Sequence, residues 1–153
     1  MKRIVWTLAL VAGALSACSA PVVPEADREA ALAILSDLDD RTLSVEAQLA
    51  NYADDAVILV PGEREHRGTE ALRAHLSTVG VGVDLRTTHE IVELESFDDL
   101  VVVQGRVVGS AGPEGSDDVF RFETKNLILL ERTDAGGLTI SKVIYNMAPT
   151  PGE

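Results

Sequence analysis

The second half of this chain does most to limit what it can fold into. Residues 83–94, 100–108, 119–132 and 138–147 are rich in Val, Ile, Leu, Thr and Phe, and the stretches "ESFDD", "GSAGPEGSDD" and "TDAGG" part them. β-Branched and aromatic runs divided by Gly, Pro, Asp and Ser read as strands joined by hairpins. Four such strands form an antiparallel meander, and its apolar face needs a covering layer. The upstream sequence supplies that layer. In "EADREAALAILSDL", residues 25–38, Ala30, Ile34 and Leu38 share one stripe with Ala31 and Leu35, and acids fill the first turn, which predicts an amphipathic helix. Residues 39–42 break it. Ser44 is placed to cap a second, shorter helix reaching Tyr52, with Val45, Leu49 and Tyr52 inward. "AVILV", residues 56–60, stopped by Pro61-Gly62, predicts a short buried strand, and Thr69 caps a third helix over "EALRAHLS". Helices first and strands afterwards define an α+β domain.

The first residues follow different rules. Lys2 and Arg3 precede an uncharged apolar run, residues 4–15, and small residues Ser16 and Ala17 follow it. That is the layout of a secretory signal peptide, and the run falls short of the ~20 residues a membrane-spanning helix needs. Leu15-Ser16-Ala17-Cys18 resembles the lipobox of bacterial lipoproteins. The resemblance implies that residues 1–17 are removed, that Cys18 is lipidated, and that the protein is held in the bacterial cell envelope. Ser19 stands where an inner-membrane retention Asp would sit, which favours the outer membrane, facing the periplasm. Residues 18–24 then read as the lipidated cysteine and a short tether, 25–149 as one domain and 150–153 as a tail. Cys18 is the sole cysteine, so no disulfide is expected in the domain.

Charge narrows the partners. The chain carries 25 Asp plus Glu against 13 Lys plus Arg, a formal net charge of −12, and two of its basic residues leave with the leader. Such a surface repels nucleic acid, and no basic cluster with interleaved aromatics interrupts it.

"NYADDAVILVPGEREHRGTEALRAHL", residues 51–76, resembles the signature of the nuclear-transport-factor-2-like superfamily, in particular its SnoaL-like branch. The matching features are Tyr52 to Ala56, Pro61-Gly62, and Arg67, Gly68, Leu72 and Arg73; the hairpins and the closing "GGLTISKVIYNMAP" extend the likeness over about residues 25–149. The resemblance implies a curved antiparallel sheet wrapped around N-terminal helices into a cone, an α+β roll with a pocket inside, often paired as a homodimer through the outer sheet face. It does not fix an activity, because the scaffold hosts isomerases, cyclases, dehydratases and binding modules. In the superfamily's steroid isomerases an Asp general base precedes the proline; Val60 stands there in this chain and accepts no proton. The branch's Trp in the final strand is also replaced, within Leu138-Thr139-Ile140.

Candidate site residues come from polar groups set in apolar strands. Lys125-Asn126 interrupt "FRFETKNLILLE" and Tyr145-Asn146 interrupt the last strand. Such groups face solvent or line a pocket. Lys125 or Asn126, with Tyr145 or Asn146 and Tyr52, are the expected ligand-binding contacts of a mainly apolar pocket. His89-Glu90 are the candidates for catalysis, and strand alternation lets only one face the interior. His66 is read as a solvated loop residue and His75 as a helix-surface or core-edge residue. With no HxxxH or CxxC pair, no metal and no cofactor are expected. Asp54-Asp55 are read as turn residues. The leading expectation is an envelope lipoprotein whose SnoaL-like domain binds a small apolar or amphipathic molecule. The alternatives are an acid–base enzyme of isomerase, dehydratase or hydrolase type, marked by a histidine or carboxylate converging on the pocket, and a protein-interaction module using the outer sheet face.

Overall fold

The computed structural model describes residues 23–116 and 118–148; the leader, Cys18 and the last residues lie outside that range. α1 (Glu25–Asp39) and α2 (Val45–Leu49) come first, then β1 (Tyr52–Leu59), β2 (His66–Arg67), α3 (Gly68–Leu76), and four long strands, β3 (Asp84–Ser96), β4 (Leu100–Gly112), β5 (Phe120–Arg132) and β6 (Leu138–Met147). They form one six-stranded sheet in the order β2-β1-β6-β5-β4-β3, antiparallel throughout except where β1 runs parallel to β6. The fold class is α+β, a curved, unclosed sheet around N-terminal helices. Among the described residues no helix is long and apolar enough to cross a membrane.

The α1 stripe does what its spacing demands. Ala31, Ile34 and Leu35 are buried against Leu94, Val101, Val103, Ile128, Leu130 and Ile140 of the sheet, and Leu38 packs at the edge. Each Ile or Leu so buried contributes about 1.5–3 kcal/mol. A second cluster, Leu49, Ala56, Ile58 and Leu72, joins α2, β1 and α3; Tyr52 and Val143 touch both clusters. One acid on α1 also faces inward. Asp27 is 6 % exposed and its carboxylate receives Arg132 Nη1–H at 2.7 Å and Nη2–H at 2.8 Å, with Ser96 Oγ donating to the same group. The Arg132 hydrogen bonds, then Ser96, hold that carboxyl at about 2 against an ordinary 3.8.

Three local expectations are corrected. α2 stops at Leu49, and Tyr52 begins β1 instead of ending a helix. The parallel neighbour captures the chain there: Ile140 N–H donates to Asn51 O at 2.7 Å and Tyr52 lies opposite Ile140. Asp54 and Asp55 lie within β1, exposed, where the register shifts between Tyr52 and Val57. They occupy an irregularity in the β1–β6 pairing, where both side chains meet water. Thr69 does not cap α3; Arg67 holds the N-cap position, and Thr69 Oγ1 donates to Asp54 O. Ser44 does cap α2, accepting from Ala47 N–H at 3.2 Å.

Two glycines in β4 mark close approach. At Gly105 an added Cβ would collide with Asn126 Oδ1, and at Gly109 with the Phe122 ring and with Arg86 O at 2.9 Å. Both glycines pair with those β5 residues, so β4 recedes to let the Asn126 and Phe122 side chains lie across it.

Candidate functional site

A cavity of about 250 Å³ opens between α1, α3 and the concave sheet face. Leu38, Ile58, Leu76, Val107, Ile128 and Val143 give it an apolar wall; the polar side chains on it are Arg41, Gln48, Tyr52, His75, Thr87, His89, Thr124, Asn126 and Tyr145. Its position follows from where the helices stop. α1 ends at Asp39, and the sheet beyond that point is not covered by α1.

The centre of the site is a pair that no sequence spacing announces. Asp39, the last residue of α1, accepts the backbone N–H of His89 on Oδ2 at 2.7 Å and meets His89 Nδ1 with Oδ1, also at 2.7 Å. β3 is an edge strand, so an outward-pointing amide lacks a strand partner and the carboxylate satisfies it. A carboxylate only accepts, so Nδ1 carries the hydrogen and Nε2 of the neutral ring keeps its lone pair. Nε2 makes no hydrogen bond among the described residues, and His89 is one of the cavity's walls. Arg41 is anchored nearby through Nη2–H to Val79 O at 3.0 Å.

Asn126 faces the same space, 8 % exposed, with its Oδ1 buried and without a hydrogen-bond partner among the described residues. A buried amide oxygen left open costs free energy unless something else occupies it. Burial pushes the Tyr52 phenol up to about 12, with Tyr145 adding to the rise. Burial also raises Tyr145, helped by the charge of Glu63.

Strand alternation settles which member of each polar pair faces in. Asn126 lies opposite Tyr145 and Lys125 opposite Asn146. Tyr52, Asn126 and Tyr145 line the cavity, whereas Lys125 and Asn146 sit on the outer face, exposed, in an open hollow shared with Val92, Gln104, Arg106 and Ile144. Of the expected alternatives, Asn126 and Tyr145 line the cavity and Lys125 and Asn146 do not. Of the candidates for catalysis, His89 faces inward, and Glu90 faces outward in an ion pair with Arg106 at 2.6 Å. Substituting Lys125→Met is accordingly expected to leave binding of any cavity ligand unchanged, while Asn126→Leu weakens it about tenfold or more through the lost hydrogen bond; calorimetry with one ligand against both variants measures the contrast.

The sequence reading missed Asp39, Arg41, Gln48 and Thr124. Asp39 and Arg41 were read only as residues that end α1. Gly105 and Gly109 mark the side chains of Asn126 and Phe122 that lie across them, and no local signal marks the four missed residues. The reading of His66 as a solvated loop residue is also corrected. It lies on β2, half-buried, its ring 4.4 Å from that of His75 on α3 and its Nε2 2.9 Å from Glu63 Oε2. Val60 packs beside α3 and lines a second hollow with Glu63, His66 and His75, not the cavity.

No family model matches the sequence, and no curated protein matches it. Solved structures do. The chain is similar to a ketosteroid isomerase-like protein from Erwinia carotovora atroseptica, with 22% identity and a TM-score of 0.69 over 82% of this chain and 96% of that one. It is similar to an NTF2-like protein with a cystatin-like fold from Novosphingobium aromaticivorans, with 17% identity and a TM-score of 0.64 over 84% of this chain and 82% of that one. A hexachlorocyclohexane dehydrochlorinase, LinA-type3, from Novosphingobium barchaimii has 22% identity and a TM-score of 0.61 over 85% of this chain and 97% of that one. At these identities the likeness establishes the fold alone, an α+β roll with a curved sheet around N-terminal helices.

Proposed function

We propose that this domain binds a small, largely apolar molecule in its cavity and moves a proton on it, with His89 as the base and Asp39 as the residue that positions it. The observation that carries this reading is the double grip of Asp39 on the amide and Nδ1 of His89 beside the cavity. In the step, a substrate C–H bond breaks and the proton goes to Nε2. The electron pair forms an enolate-type oxyanion or expels an anionic leaving group. Asp39 then faces an imidazolium, whose charge it offsets in a half-buried setting. Arg41 and the Asn126 amide are the donors available to the developing anion. Return of the proton to another carbon completes an isomerisation; loss with the leaving group completes an elimination. The cavity lies below the ~300–1,000 Å³ of drug-sized sites, so the substrate is small. Structural neighbours named for isomerase-like character and for dehydrochlorination support this class of chemistry.

The test uses 5-nitrobenzisoxazole, a small flat apolar carbon acid that opens to a coloured phenolate once a base removes its proton. Turnover by the protein above that of an equal concentration of free imidazole supports the reading; a rate no higher than imidazole counts against a positioned base.

The same proposal places the domain at the cell envelope through lipid on Cys18, a reading that rests on the leader and on Leu15-Ser16-Ala17-Cys18. Cys18→Ser in a bacterial host is expected to move the protein from the membrane to the soluble fraction, because a single residue bearing acyl chains is the whole anchor. Retention of the variant in the membrane fraction would reject the lipid tether.

A further inference from the structure

We infer that Glu63, His66 and His75 form a binding site for one zinc-class divalent transition-metal ion, placed beside the cavity and separate from the Asp39–His89 pair. The ligand atoms of these three residues all lie within 4.8 Å of one another. Three different elements bring them there. Glu63 follows the turn at Pro61-Gly62, where Gly62 has φ 78° and Glu63 N–H donates to Val60 O. His66 is held on β2 opposite Ile58, and His75 sits in the last turn of α3 with its carbonyl engaged by Thr78 Oγ1.

The donor set and its spacing both fit an ion. Two imidazoles and one carboxylate are ligands for zinc and its neighbours in the first row. Zinc holds such atoms at about 2.0–2.2 Å, which in a tetrahedron sets neighbouring ligands about 3.3–3.6 Å apart; His66 Nε2 and Glu63 Oε2 stand at 2.9 Å and need to part only slightly to admit the ion. His75 offers a ring nitrogen within 4.8 Å of the other two ligand atoms and must move closer to complete the set. As an ion pair, Glu63 and His66 contribute little to stability, because the carboxylate is half open to water. Three protein ligands leave a coordination position open, the pattern of catalytic and not of closed structural zinc sites. Glu63, His66 and His75 line a hollow of about 500 Å³ together with Tyr145. His75 and Tyr145 line the main cavity as well, so the ion would share a wall with it.

The test is equilibrium dialysis of untagged protein against Zn²⁺ and, separately, Co²⁺, whose visible absorption reports nitrogen and carboxylate ligation. One ion per chain is expected, with affinity falling at least about 10–100-fold in His66→Ala, His75→Ala and Glu63→Gln, since even outer-shell changes cost that much. His89→Gln, lacking the third histidine, is expected to bind as the parent does. Zinc should raise the melting temperature of the parent and not of His66→Asn, a milder replacement that guards against loss of fold. Absence of binding, affinity unchanged by both His66 and His75 substitutions, or equal loss in His89→Gln overturns the site.

Discussion

His89→Gln is expected to lose about 10²–10⁴-fold in kcat/KM for base-promoted opening of 5-nitrobenzisoxazole, with KM little changed. Glutamine fills similar space and keeps polar atoms on the cavity wall, so binding persists while the lone pair that takes the proton is gone. Asp39→Asn is expected to fall by a comparable factor for another reason. An amide can present N–H to Nδ1, which shifts the ring to the tautomer whose Nε2 carries the hydrogen and cannot accept one. The two causes are separable. Nitrogen-15 shifts of the His89 ring should report the exchanged tautomer in Asp39→Asn, and Asp39→Glu should restore part of the rate if the carboxylate acts by positioning. Equal rates in the parent and in His89→Gln would mean that the cavity only binds.

The second large effect concerns the fold and lies at the far end of α1. Arg132→Met is expected to destabilise the protein by about 2–4 kcal/mol, read from urea unfolding. Breaking a fully buried pair costs about 3–5 kcal/mol, and Arg132 is 30 % exposed, which lowers the figure. The loss comes mainly from Asp27, left buried with only Ser96 as a partner. Arg132 also donates to Asp98 O and Phe97 O, so the β3–β4 turn loosens with it. Asp27→Leu combined with Arg132→Met should recover part of the stability, because no charge is then stranded. Acid should act on the same pair. The Asp27 carboxyl is lowered in the folded state from 3.8 to about 2, so its stabilisation is complete above about 4 and disappears as pH falls toward 2. The difference in unfolding free energy between the parent and Asp27→Asn should therefore shrink between pH 5 and pH 2. A difference that stays constant would show that the pair contributes nothing through its charge.

Sequence pattern was enough for what repeats along the chain. The period of α1 named the residues that pack on the sheet, and the runs of β-branched residues with their turn chemistry located β3 to β6, β6 to its terminal residues. Those signals are local: a side chain's neighbours at i+2 or i+4 decide them. Where a distant strand competes for the backbone, the local reading failed, as at Tyr52, which parallel pairing with β6 draws out of α2 and into β1.

The site divides along the same line. Polar residues inside apolar strands were visible in the sequence, and with them the choices Lys125 or Asn126, Tyr145 or Asn146, His89 or Glu90. Alternation promised that one of each pair would face inward, but which one depends on the face that the helices cover, and that is a tertiary fact. Asp39 and His89 are 50 positions apart and meet only because α1 ends beside an edge strand. Glu63, His66 and His75 converge only because a turn, a two-residue strand and a helix end are folded against each other. Element type follows from local spacing, which the sequence alone carries; the chemistry follows from which ends and edges are brought together, and only the packed structure decides that.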